Sequence, residues 1–167
     1  MARDAIVLTH TYVQDSSTLP RKSPYVIRAH VADDDRGTGD AEWQLTVQNV
    51  DPKVTVTVTP ASILEGDSVT VDGTIDDPGE LDEMEVTIVW APGNTTTLQI
   101  GTERTFTATY TYLDDNPSGT PTDSVKVLVN VKDDGGGSGD GQATVTVRSE
   151  EHTSELQSRG LISYAVF

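Results

Sequence analysis

Aspartate clusters are the residues of this sequence whose types and spacing could support chemistry. They occur as short runs at residues 33–35, 76–77, 114–115 and 133–134. Two carboxylates work as general acid and base only when they face each other across a substrate cleft and one has a raised pKa. Carboxylates grouped in loops can instead bind a hard cation such as calcium, which takes several oxygen ligands, or they can serve as turn-forming residues that accept backbone N–H bonds.

Other catalytic residue types are sparse. The chain has no cysteine, so it offers neither a thiolate nucleophile nor a zinc–sulfur site. His10 and His30 have no serine motif beside them that resembles a nucleophile elbow. The aspartate-rich loops lie in a sequence with few aromatic residues, which argues against the catalytic cleft of a glycosidase. We therefore predict that the protein is not an enzyme.

The charge balance limits the class of partner. The formal net charge is −16, from 11 basic and 27 acidic residues. Phosphate binding needs clustered Lys and Arg, so nucleic acid is excluded as a partner, and anionic membranes are disfavoured. No apolar run is long enough to insert directly into a bilayer. An acidic surface suits solubility and divalent cations.

Valine and threonine dominate the segments between the acidic loops, and both residues favour strands. Alternation and turn residues predict a complete all-β module over residues 53–147. We place its seven strands at residues 53–59, 68–75, 83–90, 95–100, 104–112, 124–132 and 142–147. Seven short strands predict a Greek-key β-sandwich, with Trp90 and Tyr112 as the large residues of its core.

An internal repeat organises the chain. Residues 10–47 match residues 110–147 without gaps at an offset of 100. Residues 1–47 are therefore expected to be the C-terminal half of a truncated module, and residues 48–52 a connector. Such a half sandwich would expose its inner face, so we expect it to pack poorly or to borrow an edge from the complete module.

The ordered motifs resemble those of PKD domains. The segment from His10 to Tyr12, the run from Val31 to Gly37 and the connector from Asn49 to Pro52 fall in the order that this family shows. The sequence departs from the family after Trp90, where a Gly-Asp-Gly turn is expected and Ala-Pro-Gly-Asn occurs. The resemblance implies an immunoglobulin-like, non-catalytic extracellular module, sometimes with bound calcium.

Sandwich topology predicts where such a calcium would bind. The loop at 76–82 and the loop at 133–141 should meet at one pole, next to the connector. The candidate ligands there are Asp51, Asp76, Asp77, Asp82, Asp133 and Asp134. The pole should also lie near Gln14 and Asp15 of the preceding module, so that a cation would stiffen the junction. Ordinary turn formation is the alternative role for these aspartates.

The last segment, residues 148–167, breaks every pattern above. Its sequence RSEEHTSELQS, followed after three residues by ISYAVF, resembles the translation of a common sequencing-library adapter. A short C-terminal helix is the alternative suggested by composition. We treat the segment as a non-native tail and exclude it from functional reasoning.

These observations predict a structural or adhesive spacer module from a multi-repeat protein. We expect it to be extracellular or on the cell surface, with any export signal outside this fragment. Its expected partners are neighbouring repeats, together with a surface protein or carbohydrate ligand. The alternative function is an accessory, substrate-binding domain of a secreted hydrolase whose catalytic domain lies elsewhere.

Overall fold

A computed structural model describes residues 6–13, 22–114 and 120–149 of the chain. These residues form ten strands and no helix, so none of them lies in a helix that could cross a membrane. The strands are β1 (Lys22–Ala32), β2 (Thr38–Gln48), β3 (Lys53–Thr59), β4 (Ser62–Leu64), β5 (Ser68–Asp76), β6 (Met84–Ala91), β7 (Asn94–Gly101), β8 (Thr105–Thr111), β9 (Thr122–Asp133) and β10 (Ser138–Arg148). The predicted all-β class is confirmed.

Three sheets contain these strands. β1 and β2 form a two-stranded hairpin, five strands pair in the order β4-β10-β9-β6-β7, and three pair in the order β3-β5-β8. Buried residues from the five-stranded and three-stranded sheets form one apolar core. This arrangement is consistent with a β-sandwich over residues 53–148.

The predicted strands of the complete module all occur, with ends that shift by up to four residues. β3 has the predicted bounds, whereas β10 begins earlier and continues through Arg148, one residue past the predicted end of the module. The short strand β4 was not predicted. It pairs in parallel with β10 and has only three residues, too few to show a period-two pattern.

Alternate residues of β5, β6 and β9 face the core. Val127, Val129 and Val131 on β9 are almost completely buried, as the alternation predicted. Trp90 is fully buried and stacks on Tyr110, with ring centroids 5.2 Å apart. Burial raises the pKa of Tyr112 to about 12, so its hydroxyl stays protonated and donates to the Trp90 carbonyl at 3.1 Å.

The two hairpins of the chain have the same register. Ala32 pairs with Thr38 in β1 and β2, and Lys132 pairs with Ser138 in β9 and β10, at the offset of 100 found in the sequence. Their surroundings differ, because β9 pairs with β6 and β10 pairs with β4, whereas β1 and β2 pair only with each other among the described strands.

Some predicted features lie outside the described residues. These are Gln14 and Asp15 of the first loop, Asp115 of the corresponding loop, and residues 150–167 of the predicted tail. Of that tail, Arg148 belongs to β10, and the Ser149 backbone N–H donates to the Pro121 carbonyl at 3.3 Å.

Candidate metal centre

The turn between β9 and β10 is organised by a buried aspartate. Asp133 is 7% exposed, and its Oδ1 accepts the Gly137 backbone N–H at 2.6 Å. Gly136 has a φ of 88°, which glycine adopts without the steric cost that a side chain would bring. A Cβ on Gly137 would overlap the Asp133 carboxylate, so glycine is required where the backbone passes this close.

The connector packs on this turn. The Asn49 side-chain amide donates to Asp133 Oδ2 at 2.8 Å, and the Ser138 backbone N–H donates to Asp51 Oδ1 at 3.3 Å. Pro52, which immediately precedes β3, is buried. Both carboxylate oxygens of Asp133 are therefore hydrogen-bonded, one within the turn and one to the connector.

The loop between β5 and β6 brings two more aspartates to the same place. Asp77 Oδ1 accepts the Gly79 backbone N–H at 2.7 Å, and the Asp82 side chain is buried, with 1% exposure. A Cβ on Gly79 would overlap the Asp82 carboxylate. Arg104 secures the loop by donating to the carbonyls of Gly79 at 2.5 Å and Asp82 at 3.2 Å.

Three carboxylates converge at this pole. Asp77, Asp82 and Asp133 each place an oxygen within 4.8 Å of the other two. Asp77 Oδ2 is buried and has no hydrogen-bond partner. Such an oxygen-only, negatively charged group suits calcium, whose remaining ligands would be carbonyls and water. It has neither the imidazole nor the thiolate that structural zinc sites use.

The electrostatics of the pole favour a bound cation. Burial raises the pKa of Asp77, and the negative charges of Asp133 and Asp76 add to that effect. The Gly79 hydrogen bond and the Arg104 guanidinium act in the opposite direction. A carboxylate with a raised pKa gains most from a divalent cation, because the ion stabilises the charged form that burial penalises.

The six predicted ligands divide into two groups. Asp77, Asp82 and Asp133 form the buried cluster. The other three lie at its margin: Asp51 contacts Ser138, Asp134 Oδ1 accepts the Glu83 backbone N–H at 3.3 Å, and Asp76 is exposed at the end of β5.

Asn49 is a residue of this pole that the sequence did not assign to it. Its side chain fits because Gly135 and Gly137 have no side chains, and a Cβ on either would lie within 3 Å of Asn49. The proximity of a connector residue to a turn 84 residues later in the sequence depends on tertiary packing, which no local pattern encodes.

Comparisons with known proteins identify no family. No family model and no curated protein matches the chain. Among solved structures, the sporulation control protein Spo0M from Bacillus subtilis is 16% identical, with a TM-score of 0.42, over 66% of this chain and 56% of that one. The chain thus spans little more than half of that protein.

Two further solved structures are similar at the same low level. A conjugative transposon lipoprotein from Bacteroides eggerthii is 15% identical, with a TM-score of 0.38, over 55% of this chain and 95% of that one. The Pseudomonas fluorescens alkylpurine DNA glycosylase AlkC, bound to DNA with an abasic site analogue, is 18% identical, with a TM-score of 0.36, over 59% of this chain and 30% of that one.

Proposed function

We propose that residues 53–148 are a spacer module of an extracellular or cell-surface repeat protein, and that its connector forms a fixed joint to the preceding module. The observation that carries this proposal is the contact between connector and turn, in which Asn49 binds the buried Asp133 and Asp51 binds Ser138. A flexible linker would be solvated and rich in glycine and serine. This connector has a buried proline and two side chains hydrogen-bonded to the module that follows.

The strand order supports an immunoglobulin-like Greek key of the PKD type. The chain passes from β3 to β4, returns to β5, and then crosses to β6 and β7. It crosses again to β8 and returns to end in β9 and β10, so that some strands that pair in space, such as β5 and β8 or β6 and β9, are separated in sequence. A module of this kind has its two ends at opposite poles, which suits a repeat that extends a chain of domains.

Calcium at the cluster of Asp77, Asp82 and Asp133 is the second part of the proposal. The unpartnered Asp77 Oδ2 supports it, because a buried polar oxygen without a hydrogen bond costs stability unless something binds it. A cation there would offset the repulsion among three carboxylates. Since Asp133 also holds Asn49, the same ion would stiffen the connector.

Small-angle scattering tests this function. The sample is a tandem of two complete modules, residues 53–147 followed by residues 48–52 and 53–147 again. We expect a larger maximum dimension and a narrower distance distribution in millimolar calcium than in chelator, because the joint is fixed. Asn49→Ala in the central connector should abolish the difference by removing the hydrogen bond to Asp133.

Thr144 offers a matched control, because its side chain is exposed on β10. Thr144→Ala in the first module of the tandem should leave the scattering profile unchanged. A maximum dimension that is the same in calcium, in chelator and in Asn49→Ala would contradict the fixed joint.

A further inference from the structure

We infer that residues 6–13 and 22–47 form a binding surface for a β-rich polypeptide of the same kind as this chain's own residues 48–103, which comprise the connector and strands β3 to β7. Because the repeat architecture is taken from the proposed function, this inference rests on it, but it requires neither a cation nor a stiff joint. The surface is the apolar face of the β1–β2 hairpin, together with the segment 6–13.

One face of the hairpin is apolar and exposed. Ile27 and Trp43 face each other across the strands, and Val31 and Leu45 lie on the same side. Their exposed fractions are 48%, 74%, 67% and 37% in that order. The opposite face is mainly polar, with an ion pair between Arg28 and Glu42 and a hydrogen bond between His30 and Asp40. This is the pattern of a sheet built to be covered on one side only.

The same chain shows what covers such a face. At the offset of 100, Ile27 and Val31 correspond to Val127 and Val131, which are completely buried. Those valines pack in a core to which β3, β5 and β6 contribute, while β6 and β4 pair with the outer edges of β9 and β10. The corresponding edges of β1 and β2 pair with no other described strand.

The segment 6–13 before the hairpin is also exposed, and the Tyr12 ring contacts Tyr25 of β1 with ring centroids 4.7 Å apart. Ile6 and Leu8 are 88% and 89% exposed, and extending the offset of 100 aligns them with Phe106 of the core and with Ala108, which packs against it. β8 pairs with β5 in the complete module. The occupant therefore supplies the equivalents of β3 to β7, because β1 and β2 are the counterparts of β9 and β10, and residues 6–11 align in sequence with β8.

A polar contact would set the position of the occupant. In the β1–β2 turn the Gly37 N–H donates to Asp33 Oδ1 at 2.5 Å, as Gly137 donates to Asp133. Asp133 also accepts Asn49, but no described amide side chain binds Asp33. Asp33 is therefore placed to accept a hydrogen bond from the asparagine of an Asn-x-Asp-Pro connector in the occupant. Strands of the occupant would also pair with the free edges of β1 and β2.

Fluorescence titration tests the inference in the full chain. The probe is a polypeptide of residues 48–103 carrying Trp90→Phe, so that it contributes no tryptophan signal. The chain's own Trp90 is buried and constant, whereas Trp43 is exposed. We expect a saturable shift of Trp43 emission to shorter wavelength at one probe per chain, in chelator as well as in calcium.

Adjacent residues of β1 provide a matched pair of variants. Ile27 and Val26 are 48% and 47% exposed and lie on opposite faces. Ile27→Asp should abolish the emission shift, because it places a charge in the buried interface. Val26→Asp should leave it unchanged. If both variants lost the emission shift equally, the assignment of the Ile27 face as the binding surface would be wrong.

The Asp33 contact is tested by a double-mutant cycle, which does not depend on the apolar face. Asp33→Ala should weaken binding of the probe by about 10-fold, the size expected for one hydrogen bond to a charged group. It should have no further effect on a probe that carries Asn49→Ala. Independent effects of the two substitutions would refute the contact.

Three results of the titration would overturn the whole inference. They are the absence of a saturable shift, a stoichiometry other than one to one, and self-association of the chain through the hairpin face that excludes the probe. Because the titration is repeated in chelator, probe binding without calcium dependence would support this inference even if the scattering test of the joint failed.

Discussion

The hairpins β1–β2 and β9–β10 have the same register and the same turn but opposite environments. In both turns an aspartate accepts a glycine N–H four residues later and the backbone closes with the same hydrogen bonds, Asp33 to Gly37 and Asp133 to Gly137. The apolar face of β9–β10 is buried in a core, whereas that of β1–β2 is exposed.

This difference shows that local sequence determines the register and the turn of each hairpin, whereas the stability of the hairpin depends on what packs against it. An isolated two-stranded hairpin is marginal in water, because one apolar face without a partner contributes little to folding. Corresponding substitutions in the two hairpins should therefore have very different effects on the free energy of unfolding.

The largest effect is expected for a charge in the core. Val127→Asp should destabilise the module by about 4 kcal/mol, because a carboxylate would be buried without a partner at a fully buried position. Ile27→Asp, at the corresponding exposed position, should change the unfolding free energy by less than about 0.5 kcal/mol. Chemical denaturation of the two variants measures this contrast, and similar losses in both would contradict it.

The turn aspartates should differ by a smaller amount. Asp133→Ala removes hydrogen bonds to Gly137 and Asn49 at a buried site, which should cost about 2 kcal/mol. Asp33→Ala removes one hydrogen bond at an exposed site and should cost less than about 1 kcal/mol. Thermal unfolding of both variants in chelator compares them, and equal shifts in Tm would show that the connector contact adds no stability.

Asp77 should make the stability of the module depend on pH. Its pKa in the folded state is raised above the ordinary value of 3.8, mainly by burial, so folding favours the protonated form. The resulting stabilisation is fully present below pH 3.8 and is lost as the pH rises through the raised pKa.

Asp77→Asn should remove this pH dependence and slightly raise the Tm at pH 7 in chelator. Asp76→Asn is the control, because Asp76 is the neighbouring residue and is exposed. Thermal unfolding across the acidic pH range provides the measurement. Two results together would contradict the claim that burial raises the pKa of Asp77. The Tm of the wild type would rise with pH, and Asp77→Asn would lower the Tm at pH 7.

The smallest effect concerns the turn residue with positive φ. Arg36 has a φ of 71° where Gly136 has 88°, and a side chain in this region costs about 1 kcal/mol relative to glycine. Arg36→Gly should therefore slow hydrogen exchange in β1 and β2, and Gly136→Arg should accelerate it in β9 and β10. Faster exchange in the first variant would contradict the equivalence of the two turns.

The sequence predicted most of the fold because the strands of the complete module alternate strictly. Val125 to Val131 show the period-two pattern, and each intervening loop contains glycine, proline or aspartate. The three-residue strand β4 was missed because it is stabilised by pairing with β10, a contact distant in sequence.

The candidate site was predicted in part. Topology placed the loops of Asp77, Asp82 and Asp133 at one pole, and the structure brings these three side chains together. The sequence could not distinguish Asp77 from Asp76, because their difference in burial arises from where β5 ends. It also could not assign Asn49 to the pole, since that contact requires space left by glycines of a distant turn.

Calcium titration by calorimetry tests the central claim, that the buried carboxylates form a cation site at the connector pole. We predict one calcium per chain, with binding abolished by Asp77→Asn and retained in Asp76→Asn. The absence of a heat of binding, or binding that survives Asp77→Asn undiminished, would contradict the claim and leave the three aspartates as turn residues.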